Sequence, residues 1–183
     1  MNNELKTEFN VKANRIINDN LATGLFVYGT YNGFKSFDHL GNNGKGDGFR
    51  DYPSQTQINV ANRWNYEVHD GLCSQTLINY THEDRLGGQM AFTKDMEGSE
   101  SIYGLGGTVD RVHFFTKNGA PIGNTSSFGT QLSATYFKQD AFYGLSNYEG
   151  VETDVYANAL VNAMVRGGHN VDFGASFRYT DLE

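Results

Sequence analysis

The residues whose spacing could bind a metal ion lie in one glycine-rich stretch, 43–51. Asn43, Asp47 and Asp51 match the first, fifth and ninth positions of an EF-type calcium loop, with a glycine at the sixth. Calcium prefers such oxygen ligands on a sharply turned loop. Lys45, however, offers no oxygen at the third position, and no Glu stands at the twelfth. Two interpretations stay open, a calcium site or a flexible loop rich in Asn and Gly.

Histidine is the other candidate ligand, in this case for haem iron. The five histidines are scattered, with no pair at HxH or HxxxH spacing. His39 and His82 are the candidates, because the strands predicted below place both on the outer side. The run 82–85 carries both charge signs at an outer strand end. His82 and Arg85 could therefore touch a ligand or partner, and the alternative is a solvated charged rim.

Composition and motifs exclude several other functions. The sequence has no Gly-x-Ser-x-Gly elbow and no GxGxxG fingerprint, so we predict no enzymatic activity. A net charge of −7 without a Lys/Arg cluster argues against nucleic acid as a partner. Cys73 is the only cysteine, which rules out an intrachain disulfide and a CxxC site. No apolar run approaches the length that a membrane helix needs.

Hydrophobicity alternates with a period of two along most of the chain, which is the pattern of β-strands. Near the end, for example, Val171, Phe173 and Ala175 alternate with polar residues or glycine. No segment predicts a helix, and the fold class is all-β. The pattern predicts about eight antiparallel strands, at 4–17, 22–35, 55–69, 72–82, 108–117, 126–138, 152–166 and 169–180.

Strand length and aromatic placement favour strands that cross a membrane. Several of the predicted strands exceed ten residues, whereas strands of soluble proteins centre on about 5 to 6, and a tilted strand of that length spans a hydrocarbon layer. Aromatic residues lie towards strand ends, as in the girdles of outer-membrane barrels; they are Trp64, Tyr66, Tyr80, Tyr136, Phe137 and Tyr179.

The predicted connections alternate between short and long. The long ones are 36–54, 83–107 and 139–151, and the others are short. Outer-membrane barrels have this arrangement, with tight periplasmic turns and extended outer loops. Charged residues of the polar face would be costly in an apolar core, so we expect them to face a hydrated lumen and the apolar face to meet lipid; they are Lys6, Glu8, Lys12, Arg63, Glu67, Asp172 and Arg178.

Five stretches together resemble the β-barrel portion of TonB-dependent outer-membrane receptors of the Bacteroidetes type, in the branch similar to cobalamin and haem receptors. The resemblance covers nearly the whole chain, through NRWNYEVHDGLCSQTLINYTHEDRLGGQ, KGDGFRDYP, RVHFFTKNG, GTQLSATYFKQDAFYGL and YANALVNA. It implies a 22-stranded barrel around a plug domain, energised through TonB, that takes up cobalamin, haem or a siderophore.

Eight strands are only part of such a barrel, so we expect 1–183 to be a fragment without the plug, the remaining strands or a signal peptide. The resemblance implies outer-membrane lipid, the plug, the TonB complex and a small-molecule nutrient as partners of the parent receptor. Two alternatives stay open. One is a complete eight-stranded outer-membrane barrel with an adhesive or stabilising role, and the other is a soluble β-sandwich that binds carbohydrate.

Overall fold

The computed structural model describes residues 6–33, 38, 45–69, 71–165 and 167–183. Apart from one short 3-10 helix, Lys94–Met96, the regular structure there is β-strand. The strands are β1 Thr7–Asn18, β2 Leu21–Asn32, β3 Ser54–Glu67, β4 Cys73–Gly88, β5 Gly104–Ile122, β6 Ser126–Tyr143, β7 Ser146–Val165 and β8 His169–Leu182. Each strand pairs antiparallel with the next, in the order β1 to β8. The predicted all-β, up-and-down antiparallel sheet is therefore confirmed.

The sheet is a single open layer. Its order places β1 at one edge and β8 at the other, and no pairing joins these two strands within the described residues. A closed eight-stranded barrel needs that pairing, and a sandwich needs a second packed sheet. Neither alternative matches this topology. None of the helical structure in the described residues is long and apolar enough to cross a membrane.

The strands from β4 to β7 are longer than the sequence predicts, with 16, 19, 18 and 20 residues. The predicted long connection at 139–151 is wrong, because β6 runs to Tyr143 and only Gly144 and Leu145 separate it from β7. Gly144 has a φ of 62°, which a residue without Cβ adopts readily. The backbones of β6 and β7 stay paired along this polar segment. Polar side chains do not disturb strand pairing where they are in contact with water. Short and long connections therefore do not alternate throughout.

Register sorts the side chains onto two faces, since directly paired residues in antiparallel strands point to the same side. One face, termed the apolar face, contains a row formed by Val11, Val27, Val60, Tyr80, Val112 and Tyr136. The opposite one, termed the polar face, contains a row formed by Asn65, Gln75, Lys117, Gln131, Asn158 and Ser176. Six of the seven charged residues predicted for the polar face lie on it, and Lys6, which precedes β1, forms an ion pair with one of them, Glu8.

The charged side chains of the two faces range from largely shielded to largely exposed. On the polar face the side chains of Glu83 and Asp154 are 15% and 16% exposed. On the apolar face those of Asp84 and Asp110 are 39% and 40% exposed. Arg85 and Arg178, which pair with Glu83 and Asp154 on the polar face, are 55% and 67% exposed.

Very little of the sheet is covered by other parts of the chain. The chain exposes 12498 Å², whereas a compact monomer of its mass exposes about 8,800 Å². Within the described residues the buried hydrophobic side chains are Phe92, Ala141 and Phe142 alone. Phe173 and Phe177, on the apolar face, are 62% and 63% exposed. Apart from Phe142, the large side chains of the apolar face therefore have no covering hydrophobic layer within the described residues.

The buried residues form a small cluster at the loop end of the sheet. The connection from β4 to β5 brings Phe92 against Phe142, with 5.9 Å between ring centroids. Gly104 lies beneath Phe92, and a Cβ there would overlap the Phe92 ring. The Arg50 guanidinium donates a hydrogen bond to the Phe92 carbonyl. This cluster anchors the connection to the sheet.

Candidate functional site

The predicted ligand residues His82 and Arg85 lie on opposite faces of β4. His82 Nδ1 is 2.9 Å from Asp110 Oδ1, and the Tyr80 hydroxyl donates to the same oxygen at 2.7 Å, all on the apolar face. Arg85 lies on the polar face, where it pairs with Glu83. The two residues are three positions apart along one strand, which places them on opposite faces, so they do not share a site. His39 lies outside the described residues.

Two carboxylates, those of Asp38 and Asp47, accept hydrogen bonds from backbone N–H groups of the stretch 43–51. Asp38 accepts hydrogen bonds from the N–H groups of Asp47 and Gly48, at 3.0 and 2.8 Å. Asp47 in turn accepts from the N–H of Phe49 at 2.8 Å. Gly48 has a φ of 85°, in agreement with the sharp turn expected at this position. These contacts order the loop around the Asp38 carboxylate.

The described residues of this region do not form a set of calcium ligands. No group of three or more His, Cys, Asp or Glu side chains is placed to hold a metal ion anywhere in the described part of the chain. Asp47 is committed to the turn, Asp51 also has a partner, and Asn43 lies outside the described residues. The calcium interpretation of Asn43, Asp47 and Asp51 therefore stays a prediction without support from the described geometry.

The apolar face ends in a charged rim on the side of the β4–β5 connection. The rim consists of His82, Asp84, Asp110, Lys138, Asp140 and Glu149. Lys138 Nζ and Asp140 Oδ2 are 3.2 Å apart, and Lys94 of the connection lies 3.3 Å from Asp84 Oδ2. Charge on the apolar face is thus concentrated at the end next to the β4–β5 connection.

The connection itself contributes one acidic group with a shifted pKa. The Thr93 hydroxyl and the backbone N–H of Asp95 both hydrogen-bond to the Asp95 carboxylate. They favour its charged form and hold its pKa below the ordinary value for Asp.

Tyrosines mark the boundary between the apolar band and the rim. Tyr80 and Tyr136 each lie on the same face as a rim residue and two positions before it, His82 and Lys138 respectively. Tyr179 on β8 is likewise followed on that face by Asp181. This arrangement is typical of an aromatic girdle, with rings at the edge of an apolar band.

Phe137 does not belong to this girdle, although the sequence analysis includes it. Its neighbour Tyr136 faces the apolar side, so Phe137 points to the polar side, where it pairs with Arg111 and Glu152. The other five predicted girdle residues do share the apolar face. Period-two alternation requires this result, because two adjacent residues of a regular strand cannot face the same way.

Amide side chains on the polar face bond largely to each other. Asn79 donates to Asn59 Oδ1 at 3.1 Å, and Asn59 donates to Thr81 Oγ1 at 2.6 Å. Gln75 donates to Asn65 Oδ1 at 2.9 Å. These amide ladders across β3 and β4 stiffen the sheet. They leave few free donors or acceptors for a ligand on this part of the polar face.

A cavity on the polar face surrounds Phe137, and we term it the Phe137 pocket. Its volume is about 340 Å³, and it is lined by Arg111, Thr135, Phe137, Glu152, Asp154 and Arg178. Asp154 accepts hydrogen bonds from Arg178 Nε at 2.8 Å and from Thr180 Oγ1 at 2.7 Å. Thr135 Oγ1 lies 2.8 Å from His113 Nδ1. The lining thus combines an aromatic ring with charges of both signs.

Sequence reasoning misses the Phe137 pocket because its residues come from four strands. Arg111, Phe137, Glu152 and Arg178 lie far apart in the chain, and the register alone brings them together. One local signal was present in the sequence. Phe137 directly follows Tyr136 and interrupts the alternation with an aromatic residue at a polar position.

No family model, no curated protein and no solved structure matches the chain. A functional proposal therefore depends on the apolar face, the charged rim and the polar face with its pocket.

Proposed function

We propose that the chain forms part of the wall of an outer-membrane β-barrel, with the apolar face towards lipid and the polar face towards a hydrated lumen. The parent protein would be a TonB-dependent receptor of the Bacteroidetes type that takes up a large, scarce nutrient such as cobalamin, haem or a siderophore. The observation that carries the proposal is the uncovered apolar face, which exposes large side chains such as Phe173 and Phe177. Lipid is the partner that such a face fits.

The height of the apolar band supports this orientation. On β8 the apolar-face residues Val171 to Tyr179 cover eight residue steps, or about 27 Å along the strand. A strand tilt of about 40° reduces this to about 21 Å along the membrane normal. Outer-membrane barrels have an apolar band about 25 Å tall. The band is therefore of the right size for a bilayer, and the rim charges lie beyond it.

The band also crosses the strands obliquely. On β1 the band ends at Arg15, which lies in the same cross-strand row as Phe177 on β8. On β8, however, the apolar face stays apolar for six further residues, as far as Val171. At the other boundary Asp181 ends the band on β8 in the row of Val11. A shift of about 20 Å along the strands over about 34 Å across them gives a slope of roughly 30°. Strands tilted against a membrane produce such a slope.

The open edges are consistent with a larger barrel. The outer sides of β1 and β8 carry backbone N–H and C=O groups that no described strand pairs with. Unpaired backbone groups cost several kcal/mol each in lipid, so a membrane wall needs further strands at both edges. A barrel that continues beyond β1 and β8 supplies these partners, and in vesicles of the isolated chain edge-to-edge pairing of copies supplies them.

Spin labelling along β6 tests the wall assignment. Nitroxides attached at positions 128–136 in a Cys73→Ser background, in lipid vesicles, should be relaxed by oxygen at even positions and by a water-soluble nickel chelate at odd positions. Oxygen partitions into lipid, so the two periodicities should be out of phase. Equal accessibility at neighbouring positions, or oxygen maxima at odd positions, would contradict the lipid-out orientation.

Growth experiments test the receptor assignment separately. Cobalamin, haem and an iron siderophore are each supplied at scarce levels to the native host. Deleting the coding region for 1–183 should abolish growth on one of these three nutrients. Excess nutrient should rescue growth, since diffusion then replaces active uptake. Unimpaired growth under all three limitations would overturn the receptor assignment. The spin-labelling pattern would still test, separately, whether the chain forms a membrane wall.

A further inference from the structure

We infer that the Phe137 pocket binds a small zwitterion of about dipeptide size, with the ligand carboxylate at Arg111 and the ligand ammonium at Glu152. The inference rests on the proposed function only in requiring the polar face to be open to water. It assigns a ligand class to a site that lies away from the charged rim and from the stretch 43–51.

The arrangement of the two charges is the first argument. Arg111 pairs with Phe137, and Phe137 pairs with Glu152, so the three residues form one row across β5, β6 and β7. Two strand spacings put the α-carbons of Arg111 and Glu152 about 10 Å apart. Neither side chain forms an ion pair with any described residue. A guanidinium and a carboxylate thus lie on either side of an aromatic ring on the same face of the sheet.

The hydrogen bonds already made by the neighbouring groups also support the inference. Asp154 is held by Arg178 and Thr180, and Thr135 is engaged with His113. Arg111 and Glu152 are therefore the two charged groups of the lining without an ion pair, although the Glu152 charge also interacts with Arg178. An anion would meet repulsion from Glu152, and a cation would meet repulsion from Arg111. A molecule that carries both charges satisfies both groups.

A neutral sugar fits the pocket less well. A sugar carries no charge, so it would leave both Arg111 and Glu152 without a ligand counter-charge. The cavity volume of about 340 Å³ lies in the range of small-molecule sites. The Phe137 ring offers an apolar surface for the ligand body between the two charged ends.

Titration calorimetry on the full chain in lipid vesicles tests the inference, with glycylphenylalanine as the probe. The unblocked dipeptide should bind, and its N-acetylated and its C-amidated forms should each bind at least about tenfold more weakly, because each has lost one charge. The variants Arg111→Glu and Glu152→Arg should each lose binding, since each places two like charges in the row. The double variant should recover binding with the ligand reversed. Lys138→Gln, on the apolar face, is the matched control and should bind normally.

Two results would overturn the inference. One is no binding of the unblocked dipeptide at millimolar concentration, and the other is equal binding of the blocked and unblocked forms. Quenching of Trp64 by brominated lipid, measured on the same samples, shows whether the wall is intact. Absent binding with retained quenching removes the pocket assignment alone, whereas lost quenching contradicts the wall proposal itself.

Discussion

The two faces of this sheet satisfy their side chains in different ways. On the polar face, Asn59 and Asn79 are joined by hydrogen bonds, and Asp154 is held by Arg178. On the apolar face, Phe173 and Phe177 stand largely exposed, without a covering layer. The same strands therefore carry one face whose polar side chains bond to each other and one face whose large apolar side chains mostly have no partner within the described residues.

This difference changes what stabilises the fold. A soluble domain of this length buries a core on one side of its sheet, and that burial is the main favourable term. Here the backbone ladder is the principal described interaction, and each of its hydrogen bonds contributes only about 1 kcal/mol net in water. In lipid the same bonds become far costlier to break, because the open groups find no water. The surroundings of the apolar face thus decide the stability of the sheet.

Charge placed on the apolar face should have the largest effect. Phe173 and Val161 pair directly on that face, and Phe173→Arg or Val161→Arg should each reduce the free energy of unfolding in vesicles by about 2 to 4 kcal/mol. Asn158→Arg on the polar face is the control and should cost much less, because the new charge meets water. Urea titrations of the vesicle-bound protein measure the difference. Equal costs on both faces would break the comparison.

Side-chain deletion at adjacent residues should have an intermediate effect. Asn79→Ala removes the donor to Asn59 Oδ1 and to the Val60 carbonyl, and it should cost about 1 kcal/mol. Ile78→Ala on the apolar face should cost less in vesicles, because lipid chains are as apolar as the side chain they replace. The same urea titrations compare the two. A larger cost at Ile78 would indicate a packed protein partner on the apolar face instead of lipid.

Neutralising the rim should have the smallest effect. Lys138 and Asp140 form an exposed pair at 3.2 Å, and exposed pairs contribute little to stability. Lys138→Gln should leave the urea midpoint unchanged within experimental error, at low and at high salt. A clear loss of stability in anionic vesicles alone would assign Lys138 to lipid headgroups and would extend the lipid contact of the apolar face to the rim.

The sequence predicts the two faces well because period-two alternation is a local property. Arg63 and Glu67 lie on the polar face and Trp64 and Tyr66 on the apolar face, as their positions along β3 require. Each strand carries its own pattern, so no knowledge of its neighbours is needed. All-β architecture follows from the same signal.

Strand ends and the pocket are harder to predict. The β6–β7 turn is hidden because Lys138 and Asp140 resemble loop residues, while backbone pairing in the wet part of the sheet tolerates them up to Gly144. The Phe137 pocket depends on register between strands that are distant in sequence. Alternation on one strand contains no information about which residue of the next strand lies opposite.

Fluorescence quenching of Trp64 tests the lipid contact of the apolar face most directly. Trp64 is the only tryptophan and lies on that face, 39% exposed. In vesicles, brominated lipid should quench it strongly and aqueous iodide should quench it weakly. In the variant Trp64→Phe with Asn65→Trp, the ring moves to the polar face and the two quenchers should exchange their effects. Strong iodide quenching of Trp64, without quenching by brominated lipid, would contradict a lipid-facing apolar surface.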